Sequence, residues 1–360
     1  MVTMRNLQRQ KVIFISLLVL ILALGSLNLA KAKGWLIPSQ LSPEIHEHTI
    51  YLDSLSTEQK IAQMVVVAGS SQNMLAWKRM QLGGIHVFAM QDAQVYQNLI
   101  FEFQQDSSIP FLVSVDLEGC ISPFASFRNF TYTKNIHSTQ QAYTVGAEEG
   151  KFLSSLGVTL NFAPVVDLQD TIWGCRTFPG NETSIAQLAQ AYVLGLQSQQ
   201  ILATAKHYPG KTLVVRDPHK FLVTAEIDER DLYPYAYLTP DVNGIMVTHI
   251  IPSGALQSDV PAVANPLIIG ALQQNFSGLI ITDEINMLGL KKFYPTLDDV
   301  YVAVFSAGND LILNFNEDPN EIHHMIQVIS QAVDDGRISQ ARIDASVRRI
   351  LEAKGLKVVG

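Results

Sequence analysis

Eight short apolar runs, several of them rich in β-branched residues, recur along this chain of 360 residues: MVVVA (64–68), GGIHVFA (83–89), PFLVSVD (110–116), LNFAPVVD (160–167), ILATAKH (201–207), GIMVTH (244–249), GLIITD (278–283) and LIL (311–313). Near-continuous apolar runs are the mark of strands buried on both faces, which is the habit of parallel sheets. Amphipathic stretches separate most of them, among them 139–156 and 184–199. A last one, 339–353, opens on Ser339, a residue suited to capping a helix. Eight parallel strands alternating with helices predict a single (β/α)₈ TIM-type barrel over residues 41–360. An open doubly wound sheet is the alternative, and the absence of a Gly-rich phosphate fingerprint after the first run counts against it.

Residues 1–40 read as a separate object. Arg5, Arg9 and Lys11 precede an uncharged apolar stretch over 12–30. A basic start followed by such a stretch predicts an export signal, and Ala30-Lys31-Ala32 offers a small-residue cleavage site. The stretch is also just long enough to serve as an uncleaved membrane anchor through residues 12–30. Either way the protein is expected outside the cytoplasm, periplasmic or extracellular. The formal net charge of −8 argues against a nucleic-acid partner, which would want basic patches.

Polar residues gather where the runs stop. Asp116 ends the third, Asp167 the fourth, Lys206 and His207 the fifth, His249 the sixth and Asp283 the seventh. One such residue is usually a helix cap or a turn former. Five of eight on one barrel would share the rim at the C-terminal ends of the strands, where barrel enzymes build their sites. No H-E-x-x-H, C-x-x-C or P-loop occurs, so no metal or cofactor is expected. A carboxylate-rich rim suits glycosidic bond cleavage, in which an anion faces an oxocarbenium-like transition state and a second group protonates the leaving oxygen.

Longer motifs sharpen this. The segments KHYPGKTLVVRDPH from Lys206 and IITDEINMLGL from Ile280, together with VSVDLEG (113–119), GCRTF (174–178), ERDLYPY (229–235) and AGNDLIL (307–313), resemble the family 3 glycoside hydrolases, in their single-domain β-N-acetylglucosaminidase branch. The resemblance implies a retaining exo-β-N-acetylhexosaminidase without metal, acting on an amino-sugar glycoside from cell-wall fragments. It implies Asp283 as nucleophile, His219 as acid/base residue with Asp217 as its partner, and Asp116, Arg176, Lys206 and His207 as sugar-binding residues. The chemistry agrees. An Asp, with a reference pKa of about 3.9, can be the ionised nucleophile, and an imidazole, near about 6.5, can both give and take a proton around neutrality. For Asp217-Pro218-His219 the spacing alone also fits a solvated turn, and for His249 a packed core histidine fits as well as a sugar contact.

The sequence departs from the family pattern at two places. Cys120 stands where a second Gly is usual, and Phe124 where a sugar-binding Arg is expected, with Arg128 the nearest replacement. Lys211-Thr212 replaces a His-Gly pair. A weakened sugar-binding relative, or one with a β-glucosidase-like preference, therefore stays as an alternative. Cys120 and Cys175 follow neighbouring strands and either form a disulfide at the rim or remain two thiols.

Overall fold

The computed structural model describes residues 2–213 and 221–360. Each of the eight apolar runs forms one strand of a single parallel sheet: β1 (Val65–Ala68), β2 (Gly84–His86), β3 (Leu112–Val115), β4 (Leu160–Asn161), β5 (Leu202–Tyr208), β6 (Gly244–Val247), β7 (Leu279–Thr282) and β8 (Ile312–Leu313). Neighbours in sequence are neighbours in space from β1 to β7, and β8 pairs with β1. A parallel bridge between Ile281 and Leu311 brings β7 to β8 and all but closes the ring. The fold is thus the (β/α)₈ barrel, and the open sheet falls because the strands follow one another in chain order and the last, β8, pairs with the first and bridges to β7, which leaves no free sheet edge.

The strands read as unbroken apolar runs because both faces are covered. Val65, Val66 and Val67 are all fully buried, as are Ile245, Val247 and Ile281. The barrel also requires close approach at one strand entrance. A Cβ on Gly83 would lie 1.8 Å from the Gln63 carbonyl oxygen, so only glycine lets β2 begin beside the end of the helix that leads into β1.

The helices start where polar side chains can satisfy their first amides. Ser138 caps Thr139–Leu156 by accepting from the Gln141 amide, and Ser339 caps Gln340–Ala353 by accepting from that of Arg342. The stretch expected to begin at 184 starts two residues earlier, at Glu182. Asn181 accepts from the Ser184 amide and so sets the first turn. Outside the barrel, the parallel pair Thr224–Ile227 and Ile251–Gly254 forms in the segments after β5 and β6 and gathers its own small core of Val223, Ala225, Ile227 and Ile250. The N-terminal segment is a helix, Val2–Ala32, of which 13–32 is long and apolar enough to cross a membrane.

Candidate active site

The C-terminal ends of the barrel strands open into a cavity of about 230 Å³. Its described lining includes Asp116, Glu118, Arg176, Lys206, His207 and Asp283, with Phe162, Trp173 and Phe315 as apolar walls. Five of the seven site residues expected from the sequence therefore meet in one place. The other two, Asp217 and His219, lie outside the described residues.

Most of the polar atoms here are already paired. Lys206, inside β5 and buried, sends its ammonium to the Asp116 carboxylate at 2.6 Å and also to Glu118. Glu118 in turn receives the Arg176 guanidinium in a two-point contact, Nε to one oxygen and Nη2 to the other at 3.0 Å. Such fork-on-fork pairing fixes orientation as well as charge. Glu118 is thus the shared counter-ion of two buried cations. Burial tends to raise the Asp116 carboxyl, but Lys206, His86 and Arg176 outweigh it and hold the group down at about 2. Half-exposed to the cavity, Asp116 keeps acceptor capacity for a hydroxyl.

His207 sits between a cation and an acid. Its Nδ1 lies 2.8 Å from the Asp167 carboxylate and its Nε2 3.3 Å from Arg176 Nη2. Guanidinium only donates, so Nε2 must accept and Nδ1 carries the hydrogen toward Asp167. Burial, with Arg176 and Lys206 adding to it, lowers His207 to about 3, so the ring is neutral. Burial also raises Asp167 to about 7, against the opposing pull of Arg176 and of bonds from Thr212 and His207.

The loop that delivers Arg176 is wound around one carboxylate. Asp170 accepts from the amides of Trp173, Cys175 and Arg176 at 2.8, 3.0 and 2.9 Å, and these bonds outweigh burial to lower its pKa. The Arg176 guanidinium lies over the Trp173 ring, 4.6 Å from its centroid. Cys175 is joined to Cys120 by a disulfide, with Cα atoms 6.1 Å apart, so the loops after β3 and β4 are tied at the rim.

On the other side of the cavity Asp283 follows β7 directly. Its amide donates to the Val247 carbonyl at 3.0 Å, and its Oδ1 accepts from the Glu284 amide at 2.8 Å. No cation pairs with it among the described residues. His249 is buried and is not among the cavity-lining residues; its Nε2 donates to the Glu284 carbonyl at 2.8 Å, which steadies the turn carrying Asp283.

The altered positions have clear fates. Phe124 is fully buried in an aromatic cluster with Tyr96, Phe127, Phe130 and Phe152. Arg128 does not replace the expected arginine in the cavity: its guanidinium stacks over Phe152 at 4.2 Å and Phe130 at 5.2 Å. Lys211 takes a left-handed backbone conformation (φ 56°) and ties itself to Asp231 at 2.9 Å. Sequence reasoning passed over Glu118 and His86 as site residues. The signals were there, since Glu118 lies two residues beyond Asp116 and His86 is an imidazole inside the apolar run of β2. His86 lies 3.5 Å from Asp116 and 3.1 Å from the Ser114 hydroxyl.

Comparison with known proteins agrees with the barrel fold. The model of the glycosyl hydrolase family 3 N-terminal domain matches residues 56–353. The beta-hexosaminidase LpqI of Mycobacterium tuberculosis is 26% identical over 331 residues, which cover 84% of this chain and 83% of that one. A beta-N-acetylglucosaminidase/beta-glucosidase of Cellulomonas fimi is 26% identical over 339 residues, 84% of this chain and 58% of that one. Among solved structures, a family 3 glycosyl hydrolase of Mycobacterium smegmatis superposes with a TM-score of 0.78 at 26% identity, covering 85% of this chain and 99% of the other. A family 3 beta-N-acetylglucosaminidase of a Paenibacillus species gives 0.76 at 27% identity, covering 84% and 62%.

Proposed function

Because the chain belongs to glycosyl hydrolase family 3 and is a glycoside hydrolase, we propose that it is a retaining exo-β-N-acetylhexosaminidase that releases terminal β-linked N-acetylglucosamine, with peptidoglycan fragments as the source. The observation that carries this reading is that Asp283 shares one small cavity with Asp116, Arg176, Lys206 and His207. At about 230 Å³ the cavity is smaller than the roughly 300–1,000 Å³ of drug-sized sites, so it suits one sugar ring rather than a length of chain.

In this reading Asp116 and Lys206 take hydroxyls of the terminal sugar, while Arg176 and His207 form the polar floor beneath it. Asp283 attacks the anomeric carbon, and the C–O bond to the leaving group breaks as His219 gives that oxygen a proton. The glycosyl ester on Asp283 is then cleaved by a water whose proton returns to His219. Asp217 would orient the imidazole and stabilise its charged form, as the acid does in other imidazole-carboxylate pairs. Export, with attachment through the apolar helix, is the localisation that fits the N-terminal segment.

The test is turnover of a chromogenic β-N-acetylglucosaminide beside the matching glucoside, with Asp283→Asn as control. Cleavage of the first, lost in the variant, is expected. Cleavage of the glucoside alone would shift the sugar preference. Binding without cleavage of either would make the chain a sugar-binding relative.

A further inference from the structure

The apolar helix joins the barrel at a place that has a consequence for orientation. The helix ends at Ala32, and the next residue but one is packed into the fold. Gly34 turns the chain with φ 66°, and a Cβ there would lie 2.6 Å from that of Pro319. Asn320 donates to the Lys31 carbonyl at 3.0 Å, Arg79 donates to that of Trp35, and Ile37 is buried in the core. The join therefore has no slack residues beyond Lys33.

Pro319 opens the helix that follows β8, and Ala76, also in contact with the Gly34 position, lies in the first turn of the helix that follows β1. In a (β/α)₈ barrel the first turns of such helices stand at the C-terminal end of the strands. The apolar helix thus leaves the barrel at its mouth end, the end that holds Asp116 and Asp283. Along 13–29 it is exposed on every side, so it projects from the barrel instead of lying against it.

The same end carries exposed apolar side chains. Leu75, Phe88, Ile121 and Leu288 all lie in segments that directly follow barrel strands, and Trp35 and Leu36 flank the join itself. Exposed apolar residues at this end, beside a membrane-length helix, suit an interfacial contact with lipid. In sequence Arg5, Arg9 and Lys11 precede the apolar stretch, which favours keeping that end in the cytoplasm.

We propose that the barrel is held mouth-toward-bilayer, its rim of Leu75, Phe88, Ile121 and Leu288 resting on the phospholipid surface from which its own helix emerges. This rests on reading the N-terminal helix as a retained anchor, and the experiment separates the two. The full chain is reconstituted into phosphatidylcholine/phosphatidylglycerol vesicles carrying single thiols at Leu75→Cys, Leu288→Cys or, at the opposite end, Gln274→Cys. The native cysteines are joined, so a maleimide fluorophore reports only the introduced site. The expected result is co-sedimentation with vesicles, with a blue shift and quenching by headgroup spin-labelled lipid at Leu75→Cys and Leu288→Cys but not at Gln274→Cys. Failure to co-sediment would overturn the anchor and the proposal with it. Co-sedimentation with equal quenching at all three sites, or quenching at Gln274→Cys alone, would overturn the orientation while leaving the anchor standing.

Discussion

The two walls of the cavity are built on opposite principles. On one, Asp116, Glu118, Arg176 and Lys206 form a closed set in which each buried charge has an opposite partner within hydrogen-bonding distance. On the other, Asp283 is held by its backbone and by one amide, with no described cation beside it. The first wall is fixed before any ligand arrives, since moving one member would leave another buried and unpaired. The second keeps a carboxylate oxygen with spare acceptor capacity. A site that must hold a sugar still while one atom attacks it needs both kinds of wall.

Substitutions can break this contrast. Asp283→Asn should lower kcat by on the order of 10⁴-fold or more, the scale typical of losing a nucleophile, with little change in thermal stability. Parallel kinetics and melting curves check it, and a large loss of stability would mean that Asp283 belongs to the fixed wall after all. Glu118→Gln should do the reverse in kind. It leaves Lys206 and Arg176 short of a buried counter-ion, at a cost of about 3–5 kcal/mol read by denaturant unfolding. A variant as stable as the parent would show that the clamp is looser than its geometry suggests.

Replacing both cysteines, Cys120→Ser with Cys175→Ser, should cost about 2–4 kcal/mol, because the cross-link closes a long loop in the unfolded chain. It should also raise KM more than it changes kcat, since it frees the loop bearing Arg176, whereas an equal effect on both would place the link in the chemistry. The smallest effect is expected behind the clamp. Glu149 receives the Tyr192 hydroxyl at 2.5 Å, and burial raises its carboxyl to about 8. A carboxyl raised in the folded state contributes stability that is fully present below the unfolded value of 4.5 and is lost as pH rises to about 8. Glu149→Gln should therefore flatten the decline in melting temperature between those limits, and an unchanged slope would assign the decline to other groups.

The barrel was legible in the sequence because its signal is repeated. Eight runs buried on both faces leave little room for another architecture, and residues such as Ser138 and Ser339 mark helix starts through short-range bonds. The site was legible where a polar residue interrupts an apolar run at its end, as Asp116 and Asp283 do. Glu118 was harder to read because its partners, Arg176 and Lys206, are 58 and 88 positions away and nothing local announces them. The pair Thr224–Ile227 and Ile251–Gly254 escaped for a similar reason. Its alternating burial is that of a two-strand ribbon with one covered face, too short to stand out from loop.

The clamp's stoichiometry has one more implication. With Glu118 and Asp116 set against Lys206 and Arg176, the fixed wall is formally neutral, and Asp283 then leaves the described cavity with one excess negative charge. An acidic sugar such as a uronide would meet repulsion there and find its would-be cationic partners already occupied. Neutral glycosides should therefore compete better than their carboxylated counterparts in inhibition assays, with the gap narrowing as salt is added. A gap that stayed constant with ionic strength would trace the discrimination to shape instead of charge.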